Sequence, residues 1–215
     1  MARYNPVDVL RDFDKNISRS QDLAGAAQQW LVRANGPKMP RFTIAYRDML
    51  VELAFLHLFL AWERFLEESF LLYMLGKKSP RKYAPQRFVN PPTRSHAHRL
   101  TLPDWGRPYA EWDNPEAVRE RAKRFFKKGD PYESSLSAHT HVLKEIRTIR
   151  NAIVHRSISS QDNFDKLVRN KLGYLPSNLR VGAFLIKGVR GHTVPISHLD
   201  YYLNGLINAA RGIIP

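Results

Sequence analysis

The chain has 215 residues and contains no cysteine, which excludes a disulfide framework and a thiolate metal site. The first ten residues lack the apolar core of a signal peptide. The longest apolar run, residues 53–62, is interrupted by His57, and Glu52 and Glu63 flank it. Such a run is too short and too charged to span a bilayer. We therefore expect a cytoplasmic protein that does not enter a membrane.

Acidic residues are scarce, with 20 Asp and Glu against 34 Lys and Arg, for a net charge of +14 and a pI near 10.2. A soluble protein this basic usually meets a polyanion, either nucleic acid or, less often, an anionic membrane. The hydrophobic content of 43% is ordinary for a globular protein, and no internal repeat is visible. The length predicts a single domain over residues 1–215 that is large enough to bury a core.

The first half of the chain predicts two long helices. Residues 1–40 comprise a helix that Asn5 and Pro6 begin, followed by a loop rich in glycine and proline over residues 34–40. Residues 41–75 contain neither glycine nor proline, so they predict one helix that ends at Gly76.

Residues 53–66 of the second helix are apolar nearly all round, which predicts the central helix of a bundle. Glu63 interrupts this surface. A buried carboxylate is more often paired than catalytic, because it needs a partner, and Arg150 is the predicted partner.

Residues 77–113 form a basic and aromatic insertion. Acidic residues are absent from residues 77–99, and four prolines there forbid a long helix. Tyr83 and Phe88 lie among the charges, a pattern that suits single-stranded nucleic acid; a solvated basic loop is the alternative. The predicted nucleic-acid-binding residues, which include one from the helix that follows, are Lys77, Lys78, Arg81, Lys82, Tyr83, Arg87 and Arg124.

The second half of the chain predicts further helices and one hairpin. Asn114 caps a short basic helix, and Ser134 or Ser135 caps the next long one. Asp162 caps a further helix, and Ser197 caps the last. Between them, two apolar stretches flank a glycine-containing loop, which predicts a β-hairpin over residues 180–196, with strands over 180–186 and 192–196.

The stretch 146–156 combines an apolar stripe with a polar edge. Its apolar residues continue a helical pattern formed by Leu136, Val142, Leu143, Ile146, Ile149, Ile153 and Val154. Arg147, Asn151 and His155 lie four apart and share another face, and Arg150 lies beside the stripe. An amphipathic helix of this kind can hold charge where water is partly excluded. The alternative is a helix whose polar edge is merely solvated.

These residue types suit the cleavage of RNA without a metal. An imidazole changes protonation near neutral pH, so His155 can take the proton of a 2′-hydroxyl. A guanidinium is permanently charged and fits phosphate oxygens, which suits Arg150. Asn151 can hold the phosphate or orient His155. Two histidine pairs, 96/98 and 139/141, have no obvious third ligand, so we predict no metal and no cofactor.

The run R-N-A-I-V-H, from Arg150 and Asn151 to His155, resembles the signature of the HEPN superfamily. The resemblance covers residues 41–214 and includes the helix with W-E-R-F-L; the layout looks most like bacterial defence and toxin–antitoxin branches such as the RiboL-PSP-associated group. It implies an all-α, HEPN-like helical bundle, here with the small hairpin appended.

The resemblance also implies a function. Members with an intact motif are mostly metal-independent endoribonucleases that act as dimers, so Arg150, Asn151 and His155 are the expected catalytic residues, with Glu63 and Arg147 in support. RNA, a second copy of the chain and an antitoxin or other regulatory protein are the implied partners. Other members have lost catalysis and serve as nucleic-acid-binding or assembly modules, which is the alternative.

Helix geometry favours a site shared by two copies. Arg150 and His155 are five residues apart, a rise of about 7.5 Å and a rotation of about 140° on an ideal helix. One copy alone is therefore expected to converge poorly on one phosphate, whereas a two-fold dimer brings in a second pair. Ile149, Ile153 and Val154, with part of the 53–66 helix, are the expected interface.

Overall fold

The computed structural model describes residues 5–33, 42–102, 110–155, 157–191 and 193–215. Helix accounts for 72% of the described residues, and no sheet forms among them. The all-α class predicted from the sequence is therefore confirmed. The predicted loop over residues 34–40 lies outside the described residues.

The described residues form nine α-helices: α1 Pro6–Arg33, α2 Ile44–Met74, α3 Arg94–Thr101, α4 Pro115–Phe125, α5 Tyr132–Ala138, α6 Thr140–His155, α7 Ile158–Leu172, α8 Val181–Leu185 and α9 His198–Ile213. A short 3-10 turn, Lys127–Gly129, follows α4.

The backbone divides into two compact units, and four of the helices contribute to both. The first unit comprises Met1–Asp14, Ala61–Leu143 and Gly205–Pro215, and the second comprises Lys15–Leu60 and Lys144–Asn204. That the chain is one domain stays a prediction.

Aromatic rings form the core of the first unit. The Phe70 ring lies 4.9 Å from that of Phe126, 5.0 Å from that of Tyr132 and 5.4 Å from that of Trp112. The Tyr132 hydroxyl is 2.9 Å from Ser69 Oγ, so this buried polar group has a partner. The centre of the unit is thus fixed by ring packing together with a hydrogen bond.

The second unit packs α8 and α9 against the first half of α2. The Phe55 ring on α2 meets that of Tyr202 on α9 edge to face at 6.5 Å. The backbone N–H of Gly182 on α8 donates to Glu52 Oε1 at 3.0 Å. Since Glu52 serves as a backbone acceptor, this carboxylate on the central helix stabilises the start of α8.

Four predicted helix ends are confirmed. Asn5 accepts a hydrogen bond from the Asp8 backbone, Asn114 accepts one from Glu116, and Ser197 accepts one from Asp200. Gly76 follows α2 with φ +75°, the left-handed region in which a glycine ends a helix without steric strain.

The predicted hairpin is wrong over its first strand, because residues Val181–Leu185 form α8. Only an isolated antiparallel bridge between Gly188 and Ser197 remains of it among the described residues. An apolar run of five residues fits a buried helical turn as well as a strand, and here the first turn of the helix donates a backbone hydrogen bond to Glu52.

Two predicted caps are also wrong. Ser134 and Ser135 lie inside α5, a separate helix that ends before α6 begins. Ser157, rather than Asp162, caps α7, because its hydroxyl accepts from the Ser160 backbone at 3.2 Å.

Candidate functional site

The motif stretch occupies the last turns of α6, where a buried stripe fixes the helix. Leu143, Ile146 and Ile149 are buried, as the apolar spacing predicts. Val154, by contrast, is 48% exposed, because the stripe turns away from the core at the end of the helix. The polar edge of α6 is therefore held in place by its opposite face.

Arg150 brings the three motif side chains together within one chain. Its Nη1 lies 3.0 Å from Asn151 Oδ1 and 3.0 Å from His155 Nε2. The long arginine side chain runs along the helix and spans the five-residue separation. That one copy converges poorly on one phosphate stays a prediction. Arg150 is half-buried and His155 is exposed, so the pair lies at the surface.

The contact makes Arg150 the hydrogen-bond donor to the imidazole. A guanidinium only donates hydrogen bonds, so His155 Nε2 must accept one. The Nε2 lone pair, which a general base needs, is covered by Arg150 until another acceptor takes that guanidinium.

An aromatic ring supports Arg150 from the side of α2. The guanidinium carbon lies 5.5 Å from the centre of the Phe59 ring, within the range of a cation–π contact. Phe59 is 3% exposed, so the ring offers a fixed platform. Phe59 lies in an apolar stretch of α2, and nothing in the sequence distinguishes it from its neighbours as the residue that supports the motif.

A cleft of about 590 Å³ continues from the last turn of α6. Its lining combines apolar and polar side chains: Glu52, Ala152, Ile153, Ser157, Ile158, Gln161, Asp162, Leu179, Arg180 and Val181. Arg180 lies 3.9 Å from Asp48 Oδ2 but remains 54% exposed at its side chain. The cleft thus has apolar walls, one accessible cation and the carboxylates of Glu52 and Asp162.

The two residues expected to support the motif, Arg147 and Glu63, belong to different units. Arg147 is half-buried on α6, within the second unit. Glu63 is half-buried on the part of α2 that belongs to the first unit, and its pairing with Arg150 stays a prediction.

The predicted nucleic-acid-binding residues separate into two groups. Five are exposed cations on the first unit: Lys77, Lys78, Arg81, Lys82 and Arg124. The other two have structural contacts, since Arg87 donates to the Met74 carbonyl at 2.7 Å and Tyr83 packs edge to face on Tyr73 at 6.2 Å. The exposed ring among these charges is instead that of Phe88, at 60%.

The histidine pairs have other contacts. His98 Nε2 lies 3.3 Å from Glu67 Oε1, and His139 Nδ1 lies 2.8 Å from the Ser135 carbonyl. In the part of the chain that the structure describes, no three histidine or acidic side chains come together as a metal site would require. Among the same residues, no helix is long and apolar enough to cross a membrane.

Comparisons with models of protein families, with curated proteins and with solved structures found no match for this chain.

Proposed function

We propose that this protein is a metal-independent endoribonuclease of the HEPN type, with Arg150, Asn151 and His155 as its catalytic residues. The observation that carries the proposal is the contact of one guanidinium nitrogen with both partners, 3.0 Å from His155 Nε2 and 3.0 Å from Asn151 Oδ1. An exposed base and a fixed cation at such a distance can act on the same phosphodiester.

In the proposed reaction, the RNA phosphate replaces His155 as the acceptor for Arg150. The freed Nε2 takes the proton of the 2′-hydroxyl, and the 2′-oxygen attacks phosphorus as the bond to the 5′-oxygen breaks. Arg150 balances the negative charge that grows on the phosphoryl oxygens. The 5′-oxygen leaves with a proton from the His155 imidazolium, which gives a 2′,3′-cyclic phosphate and a 5′-hydroxyl.

The cleft beside α6 suits the nucleotide next to the cleaved bond. Ala152 and Ile153 are shared between the motif helix and the cleft wall, so a chain bound at His155 continues into it. Apolar walls can cover a base, and Arg180 can contact the following phosphate.

RNA and DNA of the same sequence, incubated in EDTA, test the proposal. The parent chain should cut the RNA and leave the DNA intact, because DNA lacks the attacking hydroxyl. His155→Ala should lower the rate at least about a hundredfold. His98→Ala, which removes a histidine of the first unit, should have little effect. Cleavage that requires added Mg²⁺, or that persists in His155→Ala, contradicts the proposal.

A homodimer with a composite site is part of the same proposal: once the RNA phosphate has separated Arg150 from His155 within one chain, the arginine of a second copy serves the phosphate beside that His155. The exposed apolar side chains of the second unit that support it are Leu53 at 48%, Leu60 at 63%, Val154 at 48% and Ile158 at 83%. Ile149 does not support it, because that side chain is fully buried in its own chain. A defence or toxin–antitoxin setting, with an antitoxin or other regulator as partner, is the biological context we propose.

The second candidate is a non-catalytic nucleic-acid-binding protein. The exposed cations of the first unit favour it, since they can contact phosphates without any chemistry at His155. Tight, salt-sensitive binding of RNA that stays intact after long incubation would select this candidate.

A further inference from the structure

Two segments of the first unit pair side by side, and exposed lysines lie on both. The backbone N–H of Phe88 donates to the Phe125 carbonyl at 2.9 Å, and that of Lys127 donates to the Gln86 carbonyl at 2.9 Å. The segment after α2 is thereby fixed against the end of α4. Each segment carries its own lysines into this region.

The lysines in this region are not neutralised by acids. The group comprises Lys77, Lys78, Lys82, Lys127 and Lys128, all exposed, and together with Phe88 we call it the basic surface. Within the described residues, none of these five lysines forms an ion pair. Lys123 on α4 differs, since its Nζ lies 2.8 Å from Glu120 and 3.5 Å from Glu133.

Two of these lysines occupy backbone positions that disfavour lysine. Lys82 has φ +62° and Lys128 has φ +59°, in the left-handed region that glycine and asparagine tolerate best. The other residue with positive φ among the described non-glycine residues is Asn178. Strained residues of this kind cluster at functional sites, so lysine at both positions points to a need for the charge.

We propose that the basic surface binds single-stranded nucleic acid without regard to sequence. The lysines contact successive phosphates, and a base stacks on the Phe88 ring, which is 60% exposed. Anionic membranes are less suited, because membrane-surface proteins present a broad apolar helix face, whereas this surface is built on turns with one apolar side chain. The proposal goes beyond the proposed cleavage function, since binding here needs neither Arg150 nor His155.

The test uses the full chain and a fluorescent 2′-O-methyl oligouridine of about 20 nucleotides, which spans more than one typical binding site and resists 2′-hydroxyl attack. Lys82→Asn combined with Lys128→Asn removes two charges and lowers the strain of the left-handed backbone at both positions. We expect thermal stability equal to or above that of the parent. Affinity should fall roughly tenfold, and the slope of log Kd against log salt should shrink by about 1.4.

The matched control removes the same charge from exposed helix positions. Lys15→Gln with Lys166→Gln should leave the affinity within about twofold and the salt slope unchanged. Phe88→Ala should weaken binding about fivefold or more through lost stacking, again with an unchanged slope.

The proposal is overturned if the asparagine double variant has the affinity and the salt slope of the parent. It is also overturned if the parent binds phosphatidylserine vesicles but not the oligonucleotide. Either result leaves the cleavage proposal standing, because that reaction is measured at His155. A chain that binds through this surface but never cuts RNA retains this inference and loses the proposed function.

Discussion

At the scale of the residue, the proposed site depends on Arg150, because one guanidinium contacts both Asn151 and His155. A guanidinium presents several donors in a planar fork, whereas an ammonium is a compact point charge. Lysine at this position is also shorter, so it does not reach His155 across five residues.

Arg150→Lys should therefore lower RNA cleavage by roughly a hundredfold, although the charge is retained. Single-turnover rates at saturating RNA measure this. The far-ultraviolet circular dichroism should be unchanged, because Arg150 is half exposed. A rate within about threefold of the parent would show that the fork plays no part in the transition state.

His198 is a buried histidine that the cleavage chemistry does not use. Its ring stacks on Phe184 at 4.3 Å, and neither ring nitrogen has a hydrogen-bond partner among the described residues. Burial, with a smaller effect of the Lys171 charge, lowers the pKa of His198 to about 4. The side chain is therefore neutral in the folded protein at neutral pH.

This lowered pKa should make folding sensitive to acid. The unfolded chain, with a histidine pKa near 6.5, binds more protons than the folded chain between about pH 6.5 and pH 4. The contribution of His198 to the free energy of unfolding is thus complete above about pH 6.5 and falls with pH, by at most on the order of 3 kcal/mol. Urea unfolding of the parent and of His198→Leu at about pH 7 and about pH 5 measures it. The same loss of stability in both proteins would exclude His198 as the cause.

At the scale of the element, α8 shows how closely two helices approach in the second unit. A Cβ on Gly182 would lie 2.1 Å from the Asp48 carbonyl oxygen on α2, so no larger residue fits without backbone movement. A Cβ on Gly25 in α1 meets nothing within 4 Å.

The two glycines give a matched pair of substitutions with opposite expected signs. Gly182→Ala should lower the free energy of unfolding by about 3 kcal/mol or more, because α8 must leave α2 or distort. Gly25→Ala should raise it by about 0.5–1 kcal/mol, since alanine favours the helix interior. Urea midpoints test both, and a tolerated Gly182→Ala would mean that α8 is not packed as described.

Sequence patterns predicted the elements whose ends are marked by local chemistry. Asn114 and Ser197 carry their own capping side chains, so the helices after them follow from neighbouring residues alone. Arg180, at the start of Val181–Leu185, makes no side-chain cap hydrogen bond. Gly182 instead donates to Glu52, 130 residues away along the chain, and no local pattern contains that contact.

The candidate site was likewise predicted only in part. The spacing placed Arg150, Asn151 and His155 on one helix, but ideal helix geometry missed the side-chain reach that joins them. Among the binding residues, Tyr83 and Phe88 look alike in the sequence. Only the packing of Tyr83 on Tyr73 separates the half-buried ring of Tyr83 from the exposed ring of Phe88.

At the scale of the whole molecule, the proposed dimer makes a prediction about mixed proteins. If each phosphate is served by Arg150 of one copy and His155 of the other, mixing inactive Arg150→Ala with inactive His155→Ala should restore part of the activity. The mixed dimer then holds one intact pair, with Arg150 from the His155→Ala copy and His155 from the Arg150→Ala copy. Light scattering on the parent should show a dimer, for which a buried area on the order of 1,200–2,000 Å² is typical. A monomer that still cuts RNA would contradict the shared site.

The central claim is that Arg150 and His155 promote RNA cleavage, in which the 2′-hydroxyl of the RNA attacks the adjacent phosphorus. The most direct measurement is the chemical identity of the new ends that the parent chain leaves in EDTA, resolved by mass spectrometry. The account predicts 2′,3′-cyclic phosphate and 5′-hydroxyl ends that are absent with His155→Ala. Fragments that end in a 3′-hydroxyl and a 5′-phosphate, or the same products from His155→Ala, would contradict it.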